Sequence, residues 1–287
     1  MKHFMKPFKR LKREVLRFSH WWSAKKLASF CAETAFFLFL ALVPLMMLAF
    51  SLIFLTPLRQ ADVVDFLLRV APESERGFIS EIVETAFVSS GSGTVTFSVL
   101  FALWSASAAA MAMRKALNEI YHMRETRSYL VRRGICILYT LLFLVGLSLI
   151  LIANLYFNIL SMAVNRRLFT PTAAERLGEI LRYPISGLIF LLILQALYTL
   201  LPARPLRFRR QFPGALFSAV ALLAATFVFN LWTSRPGAYS VYGSLRSVII
   251  LMIGIYGMVS IVLIGAGINR LLALRRKGLG LEKDLSD

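Results

Sequence analysis

The sequence predicts an all-α, polytopic membrane helix bundle with six transmembrane helices. Two observations carry this expectation. First, six stretches contain no Asp, Glu, Lys or Arg: 34–58, 85–113, 134–165, 183–203, 211–234 and 247–269. A helix needs about 20 apolar residues to cross a hydrocarbon layer of roughly 30 Å, and each stretch is long enough. Second, 24 of the 33 Lys and Arg residues fall in the lead, the tail and alternate loops. That bias places those segments, and both termini, in the cytoplasm. The composition agrees: 58% of residues are hydrophobic and only 17% charged, against about a quarter charged in soluble domains. A soluble helix of such length would carry a charged face. The run Phe36-Phe37-Leu38-Phe39-Leu40-Ala41-Leu42-Val43 does not alternate as a barrel strand would.

Residues 1–32 form a basic amphipathic lead. Phe4, Phe8, Leu11, Val15, Phe18 and Trp22 recur at helical spacing, with Lys9, Arg10, Lys12, Arg13 and Arg17 on the other faces. The pattern predicts a helix in the headgroup plane, anchored by Trp21 and Trp22. The competing reading packs the same stripe on the protein's own cytoplasmic loops. The first apolar run is too long for the core of a cleavable signal and reads as an anchored span. The six-helix domain then covers 33–272 and the cytoplasmic tail 273–287.

Span one, 33–55, contains Pro44, a predicted helix kink. Glu33 is the candidate intramembrane acid; at a helix start it also complements the helix dipole. The outer loop, 57–93, shows two amphipathic stripes separated by Pro72 and predicts two short surface helices. Span two, 94–113, carries Ser105-Ala106-Ser107-Ala108-Ala109-Ala110, small residues that allow close helix packing in lipid. Spans three to six cover about 135–163, 183–201, 212–232 and 247–271. Cys31 and Cys136, both at the cytoplasmic side, suggest neither a disulfide nor a metal site.

Polar groups inside apolar spans mark sites or helix contacts. Asn154 and Asn158 lie one turn apart on span three and share a face. Gln195 and Asn230 are positioned to meet them in the interior, as a polar path or as packing contacts. Arg235 and Arg246 bracket an outer loop containing Gly237, Tyr239, Tyr242 and Gly243. They are candidate contacts for an anionic group, or snorkelling side chains. Asn269, at the end of span six, is expected to face solvent or a loop.

Several segments together resemble the YihY/BrkB family of bacterial inner-membrane proteins. They are Ala35 through Leu45, Ala116-Leu117-Asn118-Glu119-Ile120-Tyr121, Leu201-Pro202 followed by Pro213-Gly214-Ala215, and Tyr239 through Leu245 followed by Gly265-Ala266-Gly267-Ile268-Asn269. Their order and spacing are similar to the family's over nearly the whole chain. Where the family commonly reads Gly-Ala-Glu, this chain has Gly267 in place of the acid. The resemblance implies a multi-pass protein of the bacterial inner membrane.

The family has been called ribonuclease BN, but the residues here give that label no support. Metal-assisted phosphodiester hydrolysis needs clustered carboxylates or histidines. The histidines, His3, His20 and His122, are scattered. The expectation is a non-enzyme without metal or cofactor. The net charge of +18 is parcelled among short loops, which argues against a nucleic-acid partner and for anionic membrane lipids. Two functions fit: a transporter or exporter of a lipid or amphipathic anionic solute, or a non-transport scaffold that organises lipid. The sequence does not define an oligomeric state.

Overall fold

The computed structural model describes residues 16, 18–53, 68, 76–77, 80–81, 84, 95–165, 171–233, 245–276 and 278. Side chains are described for most of 18–42, 103–150, 186–229 and 248–276. Six long helices dominate: α1 Leu27–Ile53, α2 Val95–Tyr121, α3 Tyr129–Asn165, α4 Pro171–Leu200, α5 Phe208–Thr233 and α6 Arg246–Arg276. Each overlaps one charge-free stretch and passes at least one end of it. Among the described residues, Tyr129–Ile150, Phe208–Phe229 and Val248–Arg276 are long and apolar enough to cross a membrane. Leu27–Leu42 and Ser186–Leu200 are shorter apolar helical segments.

Helix ends follow local chemistry. The lead is helical over 18–24 and turns into α1 through Lys26, whose φ of 51° lies in the left-handed region. His122, φ 53°, closes α2. Met123 N–H reaches Asn118 O at 2.8 Å and His122 N–H reaches Glu119 O at 3.4 Å, the bond pair of a Schellman cap with histidine where glycine is usual. Pro171 opens α4, where its missing N–H costs nothing. Gly278, φ 70°, follows α6.

The helices pack in a ring in chain order. Each rests on the next, and α6 returns to α1; α1 also meets α3, and α2 meets α6. The α1–α2 interface is the most extensive. It is built where Ala35, Ala41, Ala106, Ser107, Ala109 and Ala112 are buried, as the small-residue run in span two predicts. The shared apolar core collects at one end, where α2, α4 and α6 finish and α1, α3 and α5 begin. Trp21, Leu27, Leu117, Ile120, Tyr198 and Leu263 are fully enclosed there. The Lys- and Arg-rich connections converge on this end, called the basic end below. Leucines on the opposite surface of α3 and α5, such as Leu138, Leu149, Leu223 and Leu231, are exposed. That surface suits contact with hydrocarbon.

The lead departs from the headgroup-plane expectation at its described end. Trp21 is completely buried, and Phe18 and Trp22 pack against the same core. Gly267 on α6 lies against both Phe18 and Trp21. A Cβ there would meet the Phe18 ring at 3.1 Å and the Trp21 ring at 3.3 Å. The missing side chain makes room for both rings, and a glutamate in its place would require them to move. Lys25 fastens the segment from the other side, 3.4 Å from Glu119. Residues 1–15 lie outside the described residues, as do the Pro72-separated stripes of the outer loop, except for isolated helical positions at 68, 76–77, 80–81 and 84.

Candidate functional site

The basic end is held by side-chain bonds that join segments far apart in sequence. Asn118 on α2 accepts the Ala203 N–H at 2.8 Å through Oδ1. This ties the α4–α5 connection to α2, and Leu206 N–H closes the same turn on Thr199 O at 2.9 Å. Tyr121, three residues along α2, donates to Gln211 Oε1 at 2.9 Å. Burial pushes the Tyr121 phenol above its ordinary range, and a hydrogen bond with Asn269 and the charge of Arg270 offset this only in part. The phenol therefore stays protonated and keeps its donor role.

Asn269 ties α6 to α5 beside a proline. Pro213 lies inside that helix, where a proline lacks the N–H and crowds the preceding turn. Asn269 bonds to the backbone on both sides of it: Oδ1 accepts the Gly214 N–H at 2.7 Å, and Nδ2 donates to Gln211 O at 3.0 Å. The two helices touch backbone to backbone here. A Cβ on Gly214 would fall 2.2 Å from Gly265 O, and one on Gly265 would fall 2.8 Å from Gly214 O. One turn further, Tyr198 Oη lies 2.7 Å from Ser218 Oγ and donates to Val262 O at 2.6 Å. Three helices are thus joined by one phenol.

Charged groups surround this knot. Arg114, 2% exposed, places Nε and Nη2 each 2.7 Å from Glu125 Oε2. Burial alone would raise the Glu125 carboxyl; the hydrogen bond and charge of Arg114, with help from Arg127, outweigh it and hold the pKa below the usual value. Arg133 is also buried. Its guanidinium stacks 4.1 Å from the Trp104 ring centroid and donates to Trp104 O at 2.5 Å. Among the described residues, no group of three His, Cys, Asp or Glu side chains is arranged to hold a metal ion. The free thiols of Cys31 and Cys136 are both buried.

The sequence-derived candidates divide into two groups. Glu33 sits on α1 with Lys115 Nζ at 2.6 Å, so its partner is a basic residue of α2. Gln195 is buried and donates through Nε2 to Phe208 O in the α4–α5 connection. Gly146 of α3 is level with Ile193, since a Cβ there would meet Ile193 Cδ1 at 2.8 Å. At a rise of about 1.5 Å per residue, Asn154 lies about 15 Å along the bundle from Gln195. The expected meeting of Gln195 with the α3 amides falls on side chains that lie outside the described residues. Asn154 and Asn158 are on α3, Asn230 is on α5, Arg246 begins α6 and Pro44 is within helical α1. Their side chains, and Arg235 altogether, lie outside the described residues.

Asn269 corrects a second expectation. It is 2% exposed and bridges helices instead of facing solvent. The available signal was Pro213, since a proline inside an apolar span leaves backbone groups that need partners. Buried Arg114 and Arg133 had no such signal; by position they read as loop charges. Segments noted separately in sequence meet here, with Asn118 and Tyr121 touching Ala203 and Gln211, and Gly214 touching Gly265 and Asn269.

An all-helical membrane protein with its polar ties at the basic end is the class that this architecture defines. The chain belongs to the virulence factor BrkB family, which matches residues 18–285. It is 28% identical over 247 residues to the putative ribonuclease-like protein YfkH of Bacillus subtilis, covering 86% of this chain and 90% of that protein. It is 29% identical over 202 residues to a UPF0761 membrane protein of Verminephrobacter eiseniae, covering 69% of this chain and 46% of the relative. A UPF0761 membrane protein of Pseudomonas aeruginosa is 28% identical over 268 residues, which is 88% of this chain and 61% of the relative. The chain thus spans roughly half to three-fifths of the UPF0761 proteins it matches. No solved structure matches.

Proposed function

We propose that the protein is a non-enzymatic transporter or exporter of a lipid or amphipathic anionic solute. It crosses the bacterial inner membrane six times, with both termini in the cytoplasm. The reading rests on buried polar atoms that have no hydrogen-bond partner: Thr34 Oγ1 on α1, Tyr139 Oη and Ser148 Oγ on α3, and Gln195 Oε1 on α4. An unsatisfied polar group away from water costs about 1–3 kcal/mol or more. Such atoms on three helices favour an interior that takes up water or a polar solute. Orientation is supported by the concentration of basic connections at one end of the bundle.

Topology has a direct test. Cysteines placed at Ser74 and Ser92, in a background with Cys31 and Cys136 replaced by alanine, are expected to react with an impermeant thiol reagent in intact spheroplasts. A cysteine at Ser128 is expected to react only after permeabilisation. The reverse pattern would overturn the six-span, ends-inside arrangement.

Transport is tested by comparative lipidomics and solute uptake in deletion and complemented strains. Deletion is expected to change the distribution of one lipid or anionic amphiphile across the membrane, and the intact chain to restore it. Asn154→Leu with Asn158→Leu is expected to reproduce the deletion while the protein remains folded and abundant. If the double variant changes only stability in detergent, those amides are packing groups and the polar path through them is refuted. An unchanged lipid and solute distribution on deletion would favour the scaffold function. The closed apolar core at the basic end is the observation consistent with that alternative.

A further inference from the structure

A cavity of about 360 Å³ lies between α5 and α6, beyond the Gly214–Gly265 contact and away from the basic end. That volume falls within the range of small-ligand sites. Two cross-helix contacts bound it. Towards the basic end, Gly214 and Gly265 press backbone to backbone, and Ser218 Oγ lies 3.3 Å from Ile261 O. At the far end the Phe229 ring covers Gly254, where a Cβ would come within 3.1 Å of it. Between these contacts the helices stand apart. Gly257 widens the gap, since nothing lies within 4 Å of the position its Cβ would take. From Gly254 to Ile261 the groove runs about 10 Å along α6, at a rise of about 1.5 Å per residue.

The wall defines what fills it. Ala225, Thr226 and Phe229 line one side, and Gly254, Gly257 and Ile261 the other. Thr226 is the polar residue among them, and its Oγ1 donates to Leu222 O at 2.9 Å. A water needs several polar partners to stay in a cavity, and this wall offers no free side-chain group. Left empty, the walls would forfeit the dispersion contacts of a packed interior. The groove opens at Val228, Ile253 and Met258, which are exposed. It lies wholly within the charge-free stretches 211–234 and 247–269, on two helices long and apolar enough to cross a membrane. The medium at its mouth is therefore hydrocarbon.

We propose that this groove is a binding site for one acyl chain of a membrane phospholipid. The chain enters sideways through the mouth formed by Val228, Ile253 and Met258 and lies along α5 and α6. Its methylenes meet the Phe229 ring, the Ile261 side chain and the open backbone of Gly257. The groove carries no charge to hold a headgroup, so it selects the chain. The exposed leucines of α3 differ in kind: they form the outer surface of one helix, which a lipid only passes over, whereas the groove encloses a chain between two helices. The site requires insertion in the membrane but not transport, so it stands with either function.

The test is photolabelling of the full-length chain in vesicles of phosphatidylethanolamine and phosphatidylglycerol. The probe is phosphatidylcholine with a diazirine midway along one acyl chain, and labelled peptides are mapped by mass spectrometry. Peptides holding residues 225–229 and 253–261 are expected to be labelled several-fold more than the α3 peptide with exposed Leu138, Leu142 and Leu149, which meets the same hydrocarbon. Gly257→Leu is expected to abolish that excess by filling the groove with its own side chain, while α3 labelling stays unchanged. Should this variant fail to fold, Val228→Trp covers the mouth from an exposed position and is expected to do the same. A phosphatidylglycerol probe with the same diazirine chain is expected to give the same excess. Equal labelling of the groove and α3 in the native chain would overturn the proposal. So would an excess that survives Gly257→Leu or Val228→Trp in a folded protein, or one that depends on the headgroup. Absence of the excess, with a native dimer that Gly257→Leu converts to a monomer on gel filtration, would assign the groove to a second copy of the chain and overturn the lipid assignment.

Discussion

Gly214→Ala and Gly265→Ala are each expected to destabilise the folded chain by about 3 kcal/mol, at the upper end for an overpacked core. The cause is the backbone contact between α5 and α6. The added methyl at 214 would meet Gly265 O at 2.2 Å and the Asn269 amide at 2.4 Å; the one at 265 would meet Ser218 Oγ at 2.0 Å. A backbone carbonyl cannot rotate away as a side chain does, so the helices must separate. Separation would also break the Tyr198–Val262 and Asn269–Gly214 hydrogen bonds. The measurement is thermal unfolding in detergent by fluorescence-detected gel filtration. Gly257→Ala is the control, because nothing lies within 4 Å of its added methyl and alanine is the better helix former by about 1 kcal/mol. A loss of stability at 257 equal to that at 214 would remove the packing explanation.

Asn269→Leu is expected to cost about 2–4 kcal/mol by leaving two buried backbone groups, Gly214 N–H and Gln211 C=O, without their partner. Leucine is close in size, so the loss is chiefly one of hydrogen bonds. The argument has a sharper consequence in the partner helix. Pro213→Ala restores a helix donor and relieves the crowding that leaves those groups in need of Asn269. The second substitution is therefore expected to recover about 1 kcal/mol or more of the Asn269→Leu loss, a coupling typical of residues in contact. Strict additivity in the double-mutant cycle would show that Asn269 does not compensate for the proline.

Much of the architecture was legible before any coordinates because it depends on solvation. An uninterrupted apolar stretch longer than a bilayer is wide must satisfy its own backbone, and a helix does so. Each of the six stretches accordingly became one long helix, and the small-residue run of span two became the close α1–α2 interface. Charge was legible only as a sum. The sequence placed Arg114 and Arg133 among loop charges, whereas the fold buries both. Their positions depend on Glu125 and Trp104, partners distant along the chain whose approach is set by how α2 and α3 meet.

The candidate polar path illustrates the same division. Helical spacing alone puts Asn154 and Asn158 on one face, since that follows from the turn of a single helix. Whether Gln195 meets them depends on how α3 and α4 are set against each other, which the spacing within one helix does not contain. Asn269 was likewise legible as an amide at a helix end but not as the bridge across Pro213.

By itself, the sequence determined a helical membrane chain, the number and order of its long helices and the basic end towards which the connections run. These follow from local hydropathy and from charge counted by segment, which need no knowledge of neighbours. Only the tertiary structure decided which polar groups are buried together. It folded Trp21 against Gly267, set Asn269 beside the α5 proline and paired buried Arg114 with Glu125. Such pairings are differences between competing contacts at long sequence separation, and they acquire definite energies only when the helices are packed.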